Sequence, residues 1–183
     1  MRNHLRTVVL ACMLVGMARP TPGHADTVRA DLAPADGVVA FRAYGMGLLP
    51  LDGEFGRFHG SVTYDPRDHA ACRVELRVDV ASLGMSTDAL RDNVLGPDFL
   101  DAGRFPFMEY FGACAGDGLE GRLDMHGVVR PFALTLDWTH DGVVATGRLR
   151  RADWGMTAMP VLGGSTVRIK VTVRLAGTRH AGP

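Results

Sequence analysis

The chain has 183 residues, of which 46% are hydrophobic and 22% are charged, a composition typical of one globular domain. Basic and acidic residues number 20 each, which excludes a globally basic nucleic-acid-binding protein and a disordered acidic chain. No apolar run reaches the ~18–20 residues that a membrane-spanning helix needs. We therefore expect no stable membrane insertion and no nucleic-acid partner.

The first 25 residues have the pattern of a secretory signal peptide. Arg2 and Arg6 precede an apolar run at 7–18, and Gly23-His24-Ala25 fits a small-x-small cleavage site. Cleavage there would start the mature chain at Asp26 and remove basic residues but no acidic one. The pattern predicts a mildly acidic, periplasmic protein, with an uncleaved membrane anchor as the alternative.

The cysteines indicate an oxidising compartment. Cys12 lies in the expected signal peptide, and an acylated lipoprotein at this residue is the weaker alternative. Cys72 and Cys114 remain after cleavage and do not form a CxxC motif. An even pair in an exported protein predicts a disulfide, which by chain entropy would stabilise the fold by roughly 4 kcal/mol. Two separate buried thiols are the alternative.

Alternating apolar and polar residues predict β-strands along the mature chain. In 73–80, Val74, Leu76, Val78 and Val80 share one face, as in a strand with one buried and one solvated face. The segments 132–138 and 167–175 alternate in the same way. Turn residues separate these from shorter candidate strands at 38–43, 55–64, 106–114, 121–125 and 143–151.

One segment has helical spacing. Ser86 can cap a helix that runs to about Leu95, with Leu90 and Val94 on one face, and Gly96-Pro97 ends it. About eight short strands with one helix between them predict a single all-β antiparallel barrel or sandwich. The expected organisation is a signal peptide at 1–25, one barrel domain at 26–178 and a disordered tail at 179–183.

The interior of such a barrel is either filled or wide enough for one small ligand. Small residues expected to face inward leave room there: Ala43, Gly45, Gly112, Ala145 and Gly147. Bulky neighbours could occupy that room: Phe41, Tyr110, Phe132 and Trp138. Spacing alone leaves both alternatives open.

No catalytic or metal-binding constellation is present in the sequence. Motifs for hydrolases, metalloproteases and nucleotide binding are absent. The mature histidines are scattered, with no pair at helical ligand spacing: His59, His69, His126, His140 and His180. Asp98 and Asp101 are interpreted as turn residues, and the Arg150-Arg151-Ala152-Asp153 segment as either a structural ion pair or a contact for an anionic head group. We expect no enzyme, no catalytic residue, no metal and no cofactor.

An ordered set of local motifs resembles the YceI family of exported bacterial proteins, from about residue 27 to residue 177. The motifs are Gly53-Glu54-Phe55-Gly56-Arg57-Phe58-His59-Gly60, Asp65-Pro66, Ala81-Ser82-Leu83, Asp98-Phe99-Leu100-Asp101, Arg104-Phe105-Pro106, Leu123-Asp124-Met125-His126-Gly127-Val128-Val129-Arg130-Pro131 and Arg151-Ala152-Asp153-Trp154-Gly155-Met156.

The resemblance implies a lipocalin-like barrel of eight antiparallel strands, with a short helix in a long connection, around an apolar tunnel. It also implies a periplasmic protein that binds a polyisoprenoid or an isoprenoid quinone without catalysis. The chain departs from the family pattern twice. Gly45 stands where a histidine often precedes a Leu-Gly pair, and Asp36-Gly37 replaces an earlier His-Ser.

We therefore predict a lipid-binding protein that holds an isoprenoid chain for carriage or storage. The residues predicted to line its tunnel are Phe41, Val74, Leu76, Val78, Met108, Tyr110, Leu123, Met125, Leu134, Leu136, Ile169 and Val171. The alternative is a structural or stress-response module with a filled core, acting through a protein partner or as a homodimer. Its predicted contact surface is Leu48-Leu49-Pro50-Leu51.

Overall fold

The computed structural model of the chain describes residues 27–45, 48–158 and 165–175. The expected signal peptide at 1–25 and the expected tail at 179–183 lie outside the described residues. The side chains of residues 69 and 70 also lie outside the described part of the chain.

The described residues form one antiparallel sheet of eleven strands in the order β1-β4-β5-β7-β8-β9-β10-β11-β2-β3-β6. The strands are β1 (Val28–Leu32), β2 (Gly37–Gly45), β3 (Leu49–Phe55), β4 (Phe58–Asp65), β5 (Asp68–Asp79), β6 (Leu83–Met85), β7 (Phe107–Ala115), β8 (Gly118–Met125), β9 (Val128–Thr139), β10 (Gly142–Arg150) and β11 (Thr166–Arg174). Because apolar residues alternate along most strands, the sheet curls around one apolar core as a half-barrel. The predicted all-β, lipocalin-like fold class is confirmed.

The strand count exceeds the expected eight because the sheet turns sharp corners. The predicted strand 55–64 is interrupted, since Phe55 and Phe58 are both buried although they are three residues apart. A continuous strand would place them on opposite faces. The Arg57 N–H donates to Ser82 Oγ at 3.0 Å, which anchors the corner between β3 and β4. The strands β1, β3 and β6 had not been predicted as separate strands.

A second corner carries the chain from β5 to the other edge of the sheet. A 3-10 turn spans Val80–Ser82, and the carboxylate of Asp79 accepts a hydrogen bond from the Ala81 N–H at 3.0 Å. Val80 is only 1% exposed and fixes this corner in the core. The following strand, β6, pairs with β3, so the two edges of the curled sheet approach each other.

The predicted helix is confirmed as α1 (Asp88–Leu95) within the long connection between β6 and β7. Thr87 is its N-cap, because Thr87 Oγ1 accepts a hydrogen bond from the Leu90 N–H at 3.3 Å. The predicted cap at Ser86 is therefore wrong by one residue. The helix is too short to be stable alone, so its apolar side must pack on the sheet.

The predicted disulfide joins Cys72 of β5 to Cys114 of β7, with the Cα atoms 4.9 Å apart. The pairing Arg73↔Ala113 places the two cysteines opposite each other one step further along the ladder. Cys72 is buried, and Cys114 packs against the core. The bond ties together neighbouring strands rather than distant parts of the fold.

Candidate functional site

Two adjoining apolar cavities lie inside the curled sheet. The first, which we call the helix-end cavity, has a volume of about 210 Å³ and lies where α1 covers the sheet. The second, the inner cavity, has a volume of about 120 Å³ and lies deeper between the strands. The residues common to both linings are Phe55, Met108, Met125, Leu149 and Ile169. The two cavities are therefore neighbours that share part of their walls.

All twelve residues predicted to line the tunnel border these cavities. Phe41 lines the helix-end cavity, and Met108, Met125 and Ile169 line both. The others line the inner cavity: Val74, Leu76, Val78, Tyr110, Leu123, Leu134, Leu136 and Val171. The alternation of the strands was therefore sufficient to place them inward. Their role as ligand contacts stays a prediction.

The prediction missed the part of the lining that lies outside the regular strands. Leu90 and Val94 of α1, with Phe99 and Leu100 of the following loop, form one wall of the helix-end cavity. The shared face of Leu90 and Val94 was recognisable from their spacing, whereas loop residues carry no periodic signal. Asn93 is exposed and also lines this cavity, so the cavity reaches the surface beside α1.

Some of the small inward residues make room for aromatic rings instead of ligand. A Cβ on Gly112 would lie 2.7 Å from the Tyr110 ring, and one on Gly121 would lie 2.6 Å from it. A Cβ on Gly147 would meet Leu134 and the Phe132 ring. Ala43 and Ala145, in contrast, border the cavities directly. The interior is partly filled and partly open.

Tyr110 brings a buried hydroxyl group to the wall of the inner cavity. Its hydroxyl lies 3.2 Å from the carbonyl oxygen of Phe132 and 3.4 Å from that of Leu119. Burial raises the pKa of Tyr110 to about 12, with a smaller contribution from the negative charge of Glu120. The hydroxyl is therefore neutral at physiological pH, and the inner cavity presents it as a hydrogen-bonded group.

Arg151 brings a positive charge to the helix-end cavity, of which it is a lining residue. It is 6% exposed, and its guanidinium donates to the carbonyl oxygens of Met156 at 3.5 Å and Ala158 at 3.2 Å. Desolvation lowers the pKa of Arg151 from its ordinary value. Because the cation borders an apolar space, it can donate to an oxygen of a ligand as well as support the local backbone.

A 3-10 turn at Arg151–Trp154 holds this arginine in place. The Trp154 indole N–H donates to the carbonyl oxygen of Leu123 at 3.2 Å, and His126 Nδ1 lies 3.1 Å from the carbonyl oxygen of Trp154. His126 also packs against the Phe105 ring at a centroid distance of 4.7 Å. The His126 side chain is half-buried in this contact.

Neither a metal site nor a membrane-spanning helix is found in the described part of the chain. Within residues 27–45, 48–158 and 165–175, no group of three His, Cys, Asp or Glu side chains could hold a metal ion. Among the same residues, no helix has the length and apolar character required to cross a membrane.

An antiparallel sheet curled around an apolar space, with a helix over one end, defines a protein of lipocalin-like fold. The model of the YceI-like domain matches residues 31–177. The chain belongs to the YceI-like family. Its relatives include the UPF0312 protein of Vibrio vulnificus strain YJ016, which is 28% identical over 88% of this chain and 92% of that protein. The UPF0312 protein of Shewanella putrefaciens is 24% identical over 95% of this chain and 98% of that protein.

Solved structures have the same fold. BcnA of Burkholderia cenocepacia gives a TM-score of 0.66 at 19% identity, covering 78% of this chain and 98% of BcnA. A polyisoprenoid-binding domain from Saccharophagus degradans gives a TM-score of 0.57 at 13% identity, covering 80% of this chain and 98% of that domain. At these identities the comparison shows the shared fold alone.

Proposed function

We propose that this protein is an exported carrier or store that holds the isoprenoid chain of a polyisoprenoid or an isoprenoid quinone. The observation that carries the proposal is the pair of adjoining apolar cavities bordered by all twelve predicted residues. Membership of the YceI-like family and the fold shared with a polyisoprenoid-binding domain support this class of ligand. The proposal includes no catalytic step and no resident cofactor.

An apolar chain gains free energy in this interior because it leaves water. Removal of apolar surface from water yields about 25 cal/mol per Å² before the costs of ordering and association are subtracted. Apolar side chains, both branched and unbranched, line the inner cavity from every strand that borders it. The ligand needs little polar recognition along its length, so the chain and not the head group supplies most of the affinity.

The cavities can adapt to a longer chain. Ligand pockets commonly measure about 300–1,000 Å³, and these two cavities together lie near the lower end of that range. Four methionines line the helix-end cavity: Met85, Met108, Met125 and Met156. Because methionine side chains are flexible and polarisable, they can rearrange around an irregular apolar guest. Arg151 is the residue placed to donate to a carbonyl, hydroxyl or phosphate oxygen at the head of that guest.

The periplasm is the location we propose for this carriage. The signal-peptide pattern at 1–25 supports export, and the Cys72–Cys114 disulfide suits an oxidising compartment. An isoprenoid chain that leaves a membrane there needs a protein to shield it from water.

Mass spectrometry tests the proposal directly. The full chain is expressed with its signal peptide, purified from the periplasm, and measured under native and denaturing conditions. The expected result is a mass that is lost on denaturation and matches a prenyl compound, together with a chain mass that begins at Asp26. A folded protein that takes up no isoprenoid, even when one is added, would reject the proposal.

A second function is a module that acts through a protein partner or a second copy of itself. The observation in its favour is the exposure of Leu48 and Leu49, at 85% and 54%. This second function was predicted together with a filled core. The core is not completely filled, because the helix-end cavity and the inner cavity remain open. Concentration-dependent dimerisation of a ligand-free protein would support this second function.

A further inference from the structure

Three arginines lie in one row across three neighbouring strands. The register pairs Arg148 of β10 with Arg168 of β11, and Arg168 with Arg42 of β2. All three are exposed on the outer face of the sheet. Side chains directly opposite each other in a sheet have Cβ atoms about 5 Å apart, and like charges at that spacing are destabilising. We call these residues the arginine row.

Further cations surround the arginine row. Arg150 lies two residues beyond Arg148, and Lys170 two residues from Arg168, so both point to the same outer face. The carboxylate of Asp52 pairs with Arg42, with Nη2 and Oδ2 2.9 Å apart, and Glu54 is the other acidic residue on β3. The face therefore keeps a clear excess of positive charge.

Strands β5 and β7 of the same sheet place opposite charges, and not like charges, across from each other. On β5 and β7, Arg77 lies directly opposite Glu109, with 3.4 Å between the guanidinium and the carboxylate. A solvated strand face gains from such opposite pairs. In the arginine row, the pairings Arg148↔Arg168 and Arg168↔Arg42 each set two positive charges opposite each other. This arrangement points to an anion that is supplied from outside the chain.

An exposed apolar tip stands beside the arginine row. Leu48 and Leu49 follow β2, and the pairing Gly45↔Leu49 places the tip about 10 Å beyond Arg42 along the strand. The guanidinium of Arg168 lies 5.7 Å from the Tyr44 ring, on the side of this tip. Basic residues and exposed leucines at one end of a protein are the combination that binds a bilayer surface.

The helix-end cavity lies at the same end of the fold as this tip. An open groove of about 1,350 Å³ runs along the outer face and is lined by all three residues of the arginine row. Phe41, Met85 and Ile169 border both this groove and the helix-end cavity. Leu51, two residues from Leu49, also lines the helix-end cavity. The basic face, the apolar tip and the cavity therefore meet at one end of the fold.

We propose that this face docks on a bilayer containing anionic lipids, with Arg148, Arg168 and Lys170 contacting lipid phosphates and the Leu48-Leu49 tip entering the interface. The inference rests on the proposed function, because an isoprenoid chain is exchanged at a membrane. Docking in this orientation brings the helix-end cavity to the bilayer surface. The ligand then moves between lipid and protein over a short path.

Vesicle binding tests this docking. The purified chain is mixed with vesicles of phosphatidylcholine alone or of phosphatidylcholine with phosphatidylglycerol, and the bound fraction is measured by sedimentation. We expect binding only to the anionic vesicles, and weaker binding as salt is raised. Replacement of Arg148 and Arg168 by Gln should lower partitioning about 25-fold, since each basic residue near an anionic surface contributes about fivefold.

Matched variants locate the effect. Arg73→Gln with Arg122→Gln removes the same charge from exposed strand positions outside the basic face and should leave vesicle binding within about twofold. Leu48→Ser with Leu49→Ser should weaken binding to anionic vesicles while leaving the salt dependence in place. Equal loss in both arginine pairs, equal binding to neutral vesicles, or a dimer that forms through the leucines without vesicle binding would overturn the proposal.

Ligand binding is measured on the same samples with a soluble short-chain quinone and no vesicles. The arginine-row variant should bind this quinone like the unmodified chain. If the unmodified chain binds quinone but not anionic vesicles, the docking proposal fails and the proposed function stands. If it binds vesicles but takes up neither this quinone nor longer prenyl compounds, the proposed function fails instead.

Discussion

The guanidinium of Arg151 lies 5.0 Å from the ring centre of Phe99. Arg151 begins the turn after β10, and Phe99 belongs to the loop after α1. Both residues line the helix-end cavity, so this cation–π contact connects two walls of the cavity that are far apart in the sequence. The head-group end of the proposed ligand site is thus held by a charged residue and an aromatic residue.

Arg151→Met should destabilise the fold. The variant loses the guanidinium that donates to the carbonyl oxygens of Met156 and Ala158, and it leaves these acceptors with fewer donors. Hydrogen bonds from a charged group contribute about 1.5–3 kcal/mol each, and the bond to Met156 is weaker because it is long at 3.5 Å. A loss of about 2–4 kcal/mol in the free energy of unfolding is therefore expected. Urea denaturation measures it. The neighbouring exposed Arg150→Met should change stability by less than about 0.5 kcal/mol, and an equal loss would contradict the structural role of Arg151.

Leu76→Arg should abolish isoprenoid binding, because it places a charge in the inner cavity. Ala145→Leu is a milder change that fills part of the same cavity, and it should weaken binding at least about tenfold. Quenching of protein fluorescence by a quinone measures both. Glu75→Gln on the outward face of the same strand serves as the control. Unchanged affinity in folded Leu76→Arg protein would reject the inner cavity as the ligand site.

The free energy of unfolding should fall at high pH because the buried Tyr110 hydroxyl ionises there. Its folded pKa of about 12 lies above the ordinary value of 10, so the neutral form is favoured in the folded state. The stabilisation is complete below pH about 10 and is lost as the pH rises towards about 12. Unfolding at a series of pH values, compared with Tyr110→Phe, isolates this contribution. A Tyr110→Phe protein with the same decline between these pH values would show that another group causes it.

Loss of the Cys72–Cys114 disulfide should lower the free energy of unfolding by about 2–5 kcal/mol. Urea denaturation with and without a thiol reductant measures the difference. The double variant Cys72→Ala with Cys114→Ala should have the reduced stability under both conditions. A reductant effect that persists in this variant could not come from the disulfide.

Local patterns predicted the strand faces well. In β5, the alternation of Val74, Leu76 and Val78 with charged residues was enough to point these three side chains inward. The same period placed Ile169 and Val171 of β11 in the cavity wall. Side-chain direction in a strand follows from the backbone period of two, which needs no knowledge of neighbouring strands.

Corners and loops were predicted less well. The break between β3 and β4 at Gly56 and Arg57 depends on contacts with Ser82, which lies more than 20 residues away. The placement of Phe99 and Arg151 against one cavity likewise depends on how the loop after α1 folds back. Such contacts join residues that are far apart in the chain, so the alternation of apolar and polar residues within a strand cannot predict them.

The sequence by itself determined which side chains of the predicted strands face inward, which segment forms the helix, and that Cys72 and Cys114 can pair. These properties follow from local backbone geometry and from composition. Only the tertiary structure decided that Arg148, Arg168 and Arg42 form one row and that two cavities adjoin. Strand register and sheet curvature set both results, because they arise from the packing of the whole sheet rather than from any one strand.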